Sequence, residues 1–147
     1  MKKTATKKDI LLIEDNPGDV ALVLEAFNET NGEELNTEIF VVEDGEEAMN
    51  YLKQEGKYAN KKLQDIIILD LNIPKKDGRK VLSEIKSNAS LEHIPVIILT
   101  TSTSRADILN SYKLHTNCYI TKPAGIKELR EIVKYIKEFW LNVVSLP

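Results

Sequence analysis

At 147 residues the chain has room for one domain of ordinary size, and its 42% hydrophobic content is enough for one buried core without disulfide or metal staples. A formal net charge of -3 argues against a surface that neutralises many phosphates, so nucleic acid is not expected as a partner. The single cysteine, Cys118, excludes an internal disulfide, and its setting in the run NCYIT reads as a buried strand thiol.

The start, MKKTATKKD, is basic, but the apolar run after it is only ILLI before Glu14 and Asp15 interrupt it. Export is not expected, and no stretch approaches the roughly 18 consecutive apolar residues of a membrane span. The expectation is a soluble, cytoplasmic protein without a membrane partner. Residues 1–8 read as a basic, flexible N-terminus, 9–140 as the domain, and 141–147 as an apolar tail.

Taken in order, ILLI (10–13) reads as a strand, followed by a helical pattern through Val20, Leu22, Val23, Leu24, Ala26 and Phe27, then the strand EIFVV (38–42). Ala48, Met49, Tyr51 and Leu52 mark a short helix, and the polar stretch 54–65 reads as a surface loop. The strand DIIILDL (65–71) leads to a helix through Val81, Leu82 and Ile85, and the strand PVIIL (95–99) to one through Ile108, Leu109, Tyr112 and Leu114. The strand CYI (118–120) precedes a last helix over 126–140, whose core face is predicted to be Ile126, Leu129, Ile132, Val133, Ile136 and Trp140. Asn16-Pro17-Gly18-Asp19, Asp77-Gly78 and Ser104 supply helix starts. Continuous runs such as IIIL and VIIL mark strands covered on both faces, the habit of parallel sheets flanked by helices. The fold class is therefore α/β, with right-handed crossovers joining five parallel strands.

Ligands of open parallel sheets gather at the carboxyl ends of the strands. There the sequence places Glu14 and Asp15 after the first strand, Asp70 at the end of the third, Thr100 after the fourth and Lys122 after the fifth. Three carboxylates brought together repel, and keeping them ionised requires a cation or raised pKa values. Oxygen ligands with open positions suit Mg²⁺, which retains water and binds phosphoryl oxygens. Asp70 then serves as a nucleophile toward an activated phosphoryl group, with Lys122 and Thr100 stabilising the incoming charge.

LLIEDNPGD, IIILDLNIPKKDG, VIILTTS and CYITKP, four motifs in order and each at a strand end, resemble the response-regulator receiver family over essentially the full domain. The resemblance implies a flavodoxin-like (βα)5 fold with strand order 2-1-3-4-5, the order known for receivers of this family. It implies Glu14 and Asp15 as the acidic metal-binding pair, Asp70 as phosphoacceptor and metal ligand, Thr100 as the switch hydroxyl and Lys122 as the phosphoryl-contacting lysine. It adds the main-chain carbonyl of Asn72 as a metal ligand, Tyr119 as the aromatic that changes position on activation, and a cis bond before Pro123. GKYAN, DLNIPKKDGR, LHTNCYITK and FWLNVVSLP bring the sequence nearer to the single-domain response regulators that serve phytochrome-type histidine kinases.

The function expected from this is a stand-alone response regulator that accepts a phosphoryl group from a histidine kinase, not a dedicated enzyme, although it catalyses its own phosphorylation. Two alternatives stay open: a receiver-like binding module that acts without phosphorylation, and an aspartyl-phosphate phosphatase. The second would require a general acid two residues after Asp70, where Asn72 stands. His93 and His115 have no ligand-spaced partners and read as structural or surface residues. The last expectation is a homodimer through the fourth helix, fifth strand, fifth helix and tail, because LNVVSLP is too short to add a layer to the fold.

Overall fold

The computed structural model describes residues 6–29 and 35–147. Its elements alternate throughout: β1 (Thr6–Ile13), α1 (Pro17–Glu29), β2 (Leu35–Val42), α2 (Gly45–Leu52), β3 (Ile66–Leu69), α3 (Gly78–Ser87), β4 (Val96–Thr100), α4 (Arg105–Lys113), β5 (Cys118–Thr121) and α5 (Ile126–Ile136). A 3-10 turn covers Gly56–Tyr58, and a π-helical segment, Lys137–Val143, continues α5. The strands form one parallel sheet in the order β2-β1-β3-β4-β5. Among the described residues, no helix is long and apolar enough to cross a membrane.

The apolar runs are continuous because each strand serves two cores. Side chains of successive residues point to opposite faces of a sheet. Leu11, Ile13, Ile67, Leu69, Val96 and Ile98 accordingly pack on one side with Ala48, Met49 and Leu52 of α2 and Val81, Leu82 and Ile85 of α3. Ile10, Leu12, Ile66, Ile68, Ile97 and Leu99 face the other way, toward Leu22, Val23, Ala26 and Phe27 of α1 and Leu129, Val133 and Ile136 of α5. The expected helix starts carry their caps: Asn16 Oδ1 accepts from the Asp19 N–H at 3.0 Å, Asp77 Oδ1 from Arg79 at 2.8 Å and Ser104 Oγ from Asp107 at 3.2 Å.

Several expectations need correction. Within the stretch 1–8 expected to be flexible, Thr6, Lys7 and Lys8 belong to β1 and pair with Leu35, Asn36 and Thr37, because main-chain pairing needs no apolar side chains; residues 1–5 lie outside the described residues. The stretch 54–65 is not wholly a surface loop. Tyr58 is buried with its ring 5.9 Å from Phe40 and 5.1 Å from Tyr51, and Gln64 is buried as well. Ile126 leaves the predicted core face: it is the first residue of α5, 69% exposed, while the stripe settles on Leu129, Val133 and Ile136. The helix does not stop at 140, since the backbone stays helical to Val143 and both Leu141 and Leu146 join the α1–α5 core. No cis peptide bond occurs among the described residues, so the bond before Pro123 is trans, the form X-Pro bonds favour by about 0.5–1 kcal/mol. Lys122 reaches the site without that turn, its N–H bonded to the Thr100 carbonyl at 2.6 Å.

Candidate functional site

The carboxyl ends of β1, β3, β4 and β5 bring the expected residues together. Main-chain bonds continue the ladder beyond the strands and fix the positions: the Glu14 N–H donates to the Val42 carbonyl at 3.0 Å and the Asp70 N–H to the Ile13 carbonyl at 3.0 Å. Each side chain therefore leaves a rigid part of the backbone at the same sheet edge. Glu14, Asp70, Thr100 and Lys122 are buried, whereas Asp15 is exposed at the mouth.

Lys122 lies at the centre of the charge arrangement. Its Nζ donates to Glu14 Oε1, to Asp19 Oδ2 at 2.8 Å and to Asp70 Oδ2 at 3.0 Å. Burial opposes the ammonium charge, yet these acids hold its pKa above the ordinary value. Burial also pushes the Asp70 carboxyl up, but the Asn72 N–H at 3.1 Å, the Thr100 hydroxyl and Lys122 together bring it below the usual carboxylate range. Asp70 is thereby kept ionised. Glu14 goes the other way: its burial, reinforced by the neighbouring Asp70 charge, raises it against the pull of Lys122.

Glu14, Asp15 and Asp70 each offer an oxygen, and the three lie within 4.8 Å of one another. One ammonium cannot neutralise this acidic group together with Asp19, and the all-oxygen donor set fits a hard divalent cation. Asn72 is exposed beside Asp70, where its main-chain N–H turns back to the Asp70 carboxylate.

Tyr119 is half-buried on β5 and its hydroxyl donates to the Ser102 carbonyl at 2.9 Å, which links it to the loop that follows Thr100. Two features were not expected from the sequence. Asp19 belongs to the charge centre as well as to the first turn of α1, and the signal available was a third acid within the run EDNPGD. Ser102 is the second: its Oγ donates to Asp107 Oδ2 at 2.6 Å, and Asp107 is bound in turn by Arg79 of α3. No sequence spacing announces a contact between residues 79 and 107. Cys118 is only half-buried, and burial raises its thiol pKa, which keeps it protonated and unreactive.

An acid held ionised by a lysine, beside two further carboxylates at the edge of a doubly wound parallel sheet, defines a signalling receiver and differs from a nucleotide or flavin site, which would present main-chain N–H groups to phosphate. Residues 10–134 match the family model described as the response regulator receiver domain, and the chain belongs to that family. It is 46% identical over 140 residues to the response regulator Rcp1 of Synechocystis sp., spanning 95% of this chain and 93% of that one. The crystal structure of the phosphorylated cyanobacterial phytochrome response regulator RcpA superposes with a TM-score of 0.92 at 52% identity, covering 97% of this chain and 99% of that one. The Mn²⁺-bound form of Rcp1 superposes with a TM-score of 0.91 at 47% identity, covering 95% and 99%.

Proposed function

We propose that this chain is a stand-alone response regulator that takes a phosphoryl group from the phosphohistidine of a phytochrome-type histidine kinase onto Asp70. The observation that carries the reading is the Asp70 carboxylate, ionised, 3.0 Å from the Lys122 ammonium and within 4.8 Å of Glu14 and Asp15 oxygens. In the step itself an Asp70 oxygen attacks phosphorus, the P–N bond to the donor histidine breaks, and the imidazole leaves with its electron pair. Glu14, Asp15, Asp70 and the Asn72 main-chain carbonyl would hold Mg²⁺. The bound ion supplies positive charge that lets an anionic phosphoryl group approach three carboxylates.

The chain's own residues do the rest. Lys122 offers its ammonium to a phosphoryl oxygen, and the Thr100 hydroxyl, already directed at Asp70, donates to another. A shift of Thr100 is passed to Ser102 and Tyr119, which alters the surface formed by α4, β5 and α5. No acid stands at Asn72 to assist hydrolysis, which favours a persistent phosphoryl group and speaks against the phosphatase alternative. The kinase class is supported by the likeness to RcpA, a cyanobacterial phytochrome response regulator, and the choice of a divalent ion by the likeness to Mn²⁺-bound Rcp1. On this reading the protein acts in the cytoplasm, as a receiver unit that includes β1 from Thr6 and the C-terminal segment packed on α1.

On the same reading the chain forms a homodimer through α4, β5, α5 and the C-terminal segment. Support comes from an apolar groove of about 250 Å³ bordered by Ile120, Ile132, Tyr135, Phe139 and Trp140.

Purified protein given Mg²⁺ and a small phosphodonor, or a phosphorylated histidine kinase, should gain one acid-stable, alkali-labile phosphoryl group, and Asp70→Asn should gain none. Labelling of Asp70→Asn at the wild-type rate would falsify the assignment.

A further inference from the structure

Lys122 has three ammonium hydrogens and three carboxylate acceptors: Glu14, Asp70 at 3.0 Å and Asp19 at 2.8 Å. Glu14 and Asp70 are also two of the three acids whose oxygens cluster within 4.8 Å, and Asp19 is not in that cluster. An ammonium and a divalent cation therefore compete for the same two carboxylates. The ammonium has little freedom to withdraw, because its side chain is 4% exposed and its main chain is pinned to Thr100 at 2.6 Å.

Asp19 is built differently from the other two acceptors. It sits in the first turn of α1, its N–H held by Asn16 Oδ1 at 3.0 Å, and its side chain is 27% exposed. Water thus reaches the carboxylate, and its charge carries a smaller desolvation cost than that of Glu14. Asp19 is therefore the acceptor that Lys122 keeps when the other two turn to a cation.

We infer that Asp19 is a positioning residue: it holds the Lys122 ammonium at the rim of the site while a divalent cation takes Glu14 and Asp70, so that the ammonium faces an arriving phosphoryl group. This rests on the phosphoacceptor reading above. The plain alternative is that Asp19 only stabilises the start of α1, a role that affects helix stability and leaves the competition at Lys122 untouched.

The test is Mg²⁺ titration by calorimetry on the full chain, without any phosphodonor, for wild type, Asp19→Asn, Lys122→Met and the double variant. Asp19→Asn should weaken Mg²⁺ binding on the order of tenfold, because the ammonium falls back onto Glu14 and Asp70. In the Lys122→Met background the same change should cost much less, since no ammonium remains to be held. An equal loss in both backgrounds overturns the inference by showing that Asp19 acts only as a distant charge.

A second measurement needs no change at Lys122. In Mg²⁺-saturated wild type, the ¹⁵N-labelled Lys122 ammonium should be protected from solvent exchange. Asp19→Asn should lose that protection and Asp19→Glu should restore it. Equal protection in wild type and Asp19→Asn overturns the inference. Wild type with no affinity for Mg²⁺ overturns both the inference and the metal site beneath it, whereas normal affinity in Asp19→Asn overturns the inference alone and leaves the phosphoacceptor assignment standing.

Discussion

The Arg79 guanidinium grips the Asp107 carboxylate with two parallel hydrogen bonds of 2.7 Å, joining the first turn of α3 to the first turn of α4. The same guanidinium also reaches Asp77 at 3.0 Å. This fork has weight because α4 has little apolar anchorage: Ser111 is its buried residue, and Leu109 and Tyr112 are 55% and 49% exposed. A planar, two-bond pairing is a geometry that lysine cannot reproduce.

A pH dependence follows from Asp107. The hydrogen bond from Arg79 and a second from Ser102 lower its pKa from 3.8 to about 2. Above pH 3.8 the carboxylate is ionised in folded and unfolded chains alike, and the stabilisation is complete. As pH falls from 3.8 toward 2 the unfolded chain takes up the proton first, so stability is progressively lost. Asp107→Asn should abolish this part of the acid dependence. At neutral pH, with the partly exposed Arg79 screened by solvent, it should cost about 1 kcal/mol. Urea melts of both proteins at about pH 2.5, 4 and 7 make the comparison, and parallel pH curves would sink this account.

Gly78 stands where the backbone of α3 meets the chain that leaves β3 through Asp70 and Leu71. A Cβ at this position would run into the Asp70 carbonyl oxygen and lie 2.6 Å from the Leu71 Cα, both main-chain atoms with no room to yield. Gly78→Ala should therefore destabilise the fold by about 1–3 kcal/mol and displace the acceptor segment. It should slow phosphorylation at saturating Mg²⁺ even in the fraction that remains folded. Wild-type melting and wild-type labelling together would contradict the close approach.

The parts of this fold that were legible in the sequence are those governed by burial. Runs such as IIIL and VIIL, alternating with helical patterns, read as strands covered twice, and that alternation together with the receiver motifs placed the chemistry at their carboxyl ends. Polar strand ends were not legible: Lys7 and Lys8 pair through their main chains, which leaves no hydrophobic trace. Tyr58 was missed because its partners Phe40 and Tyr51 come from a strand and a helix outside the polar stretch that contains it. In the site, strand-end residues were readable because topology places them. Asp19 and the Arg79–Asp107–Ser102 chain depend on how helices lean together, and nothing in local spacing records that.

Tyr119 provides a narrower test of the path from the acceptor to the surface. Its hydroxyl donates to the Ser102 carbonyl at 2.9 Å, while Thr121 Oγ1 reaches the same oxygen at 3.5 Å. Tyr119→Phe keeps the ring and removes the stronger bond, for a cost of about 1 kcal/mol. Phosphoryl uptake at Asp70 should be nearly unchanged, since the Tyr119 hydroxyl is bonded to the Ser102 carbonyl and not to a site carboxylate. The NMR shifts that phosphorylation produces in α4 should shrink. Full-sized α4 shifts in Tyr119→Phe would remove it from the path.

The C-terminal segment separates two roles that the sequence left mixed. Lys137 donates from Nζ to the Phe27 carbonyl in the last turn of α1 at 2.6 Å, and Leu141 and Leu146 pack into the α1–α5 core. Those residues serve the fold. Tyr135, Phe139 and Val143, spaced four apart along the same helix, are 71%, 53% and 64% exposed, and Phe139 meets Trp140 edge-to-face at 5.7 Å. That stripe serves no core and flanks the proposed dimer face. Leu141→Ala, near the surface end of its layer, should cost about 2 kcal/mol in stability and leave association per folded molecule unchanged. Phe139→Ser should change stability by about 0.5 kcal/mol or less and weaken self-association on the order of tenfold, as loss of an aromatic anchor does at an interface. Sedimentation of both variants with and without phosphorylation reads the difference. A dimer equally strong in Phe139→Ser and in wild type would move the interface away from this stripe, and a monomer at every concentration in wild type would remove the dimer altogether.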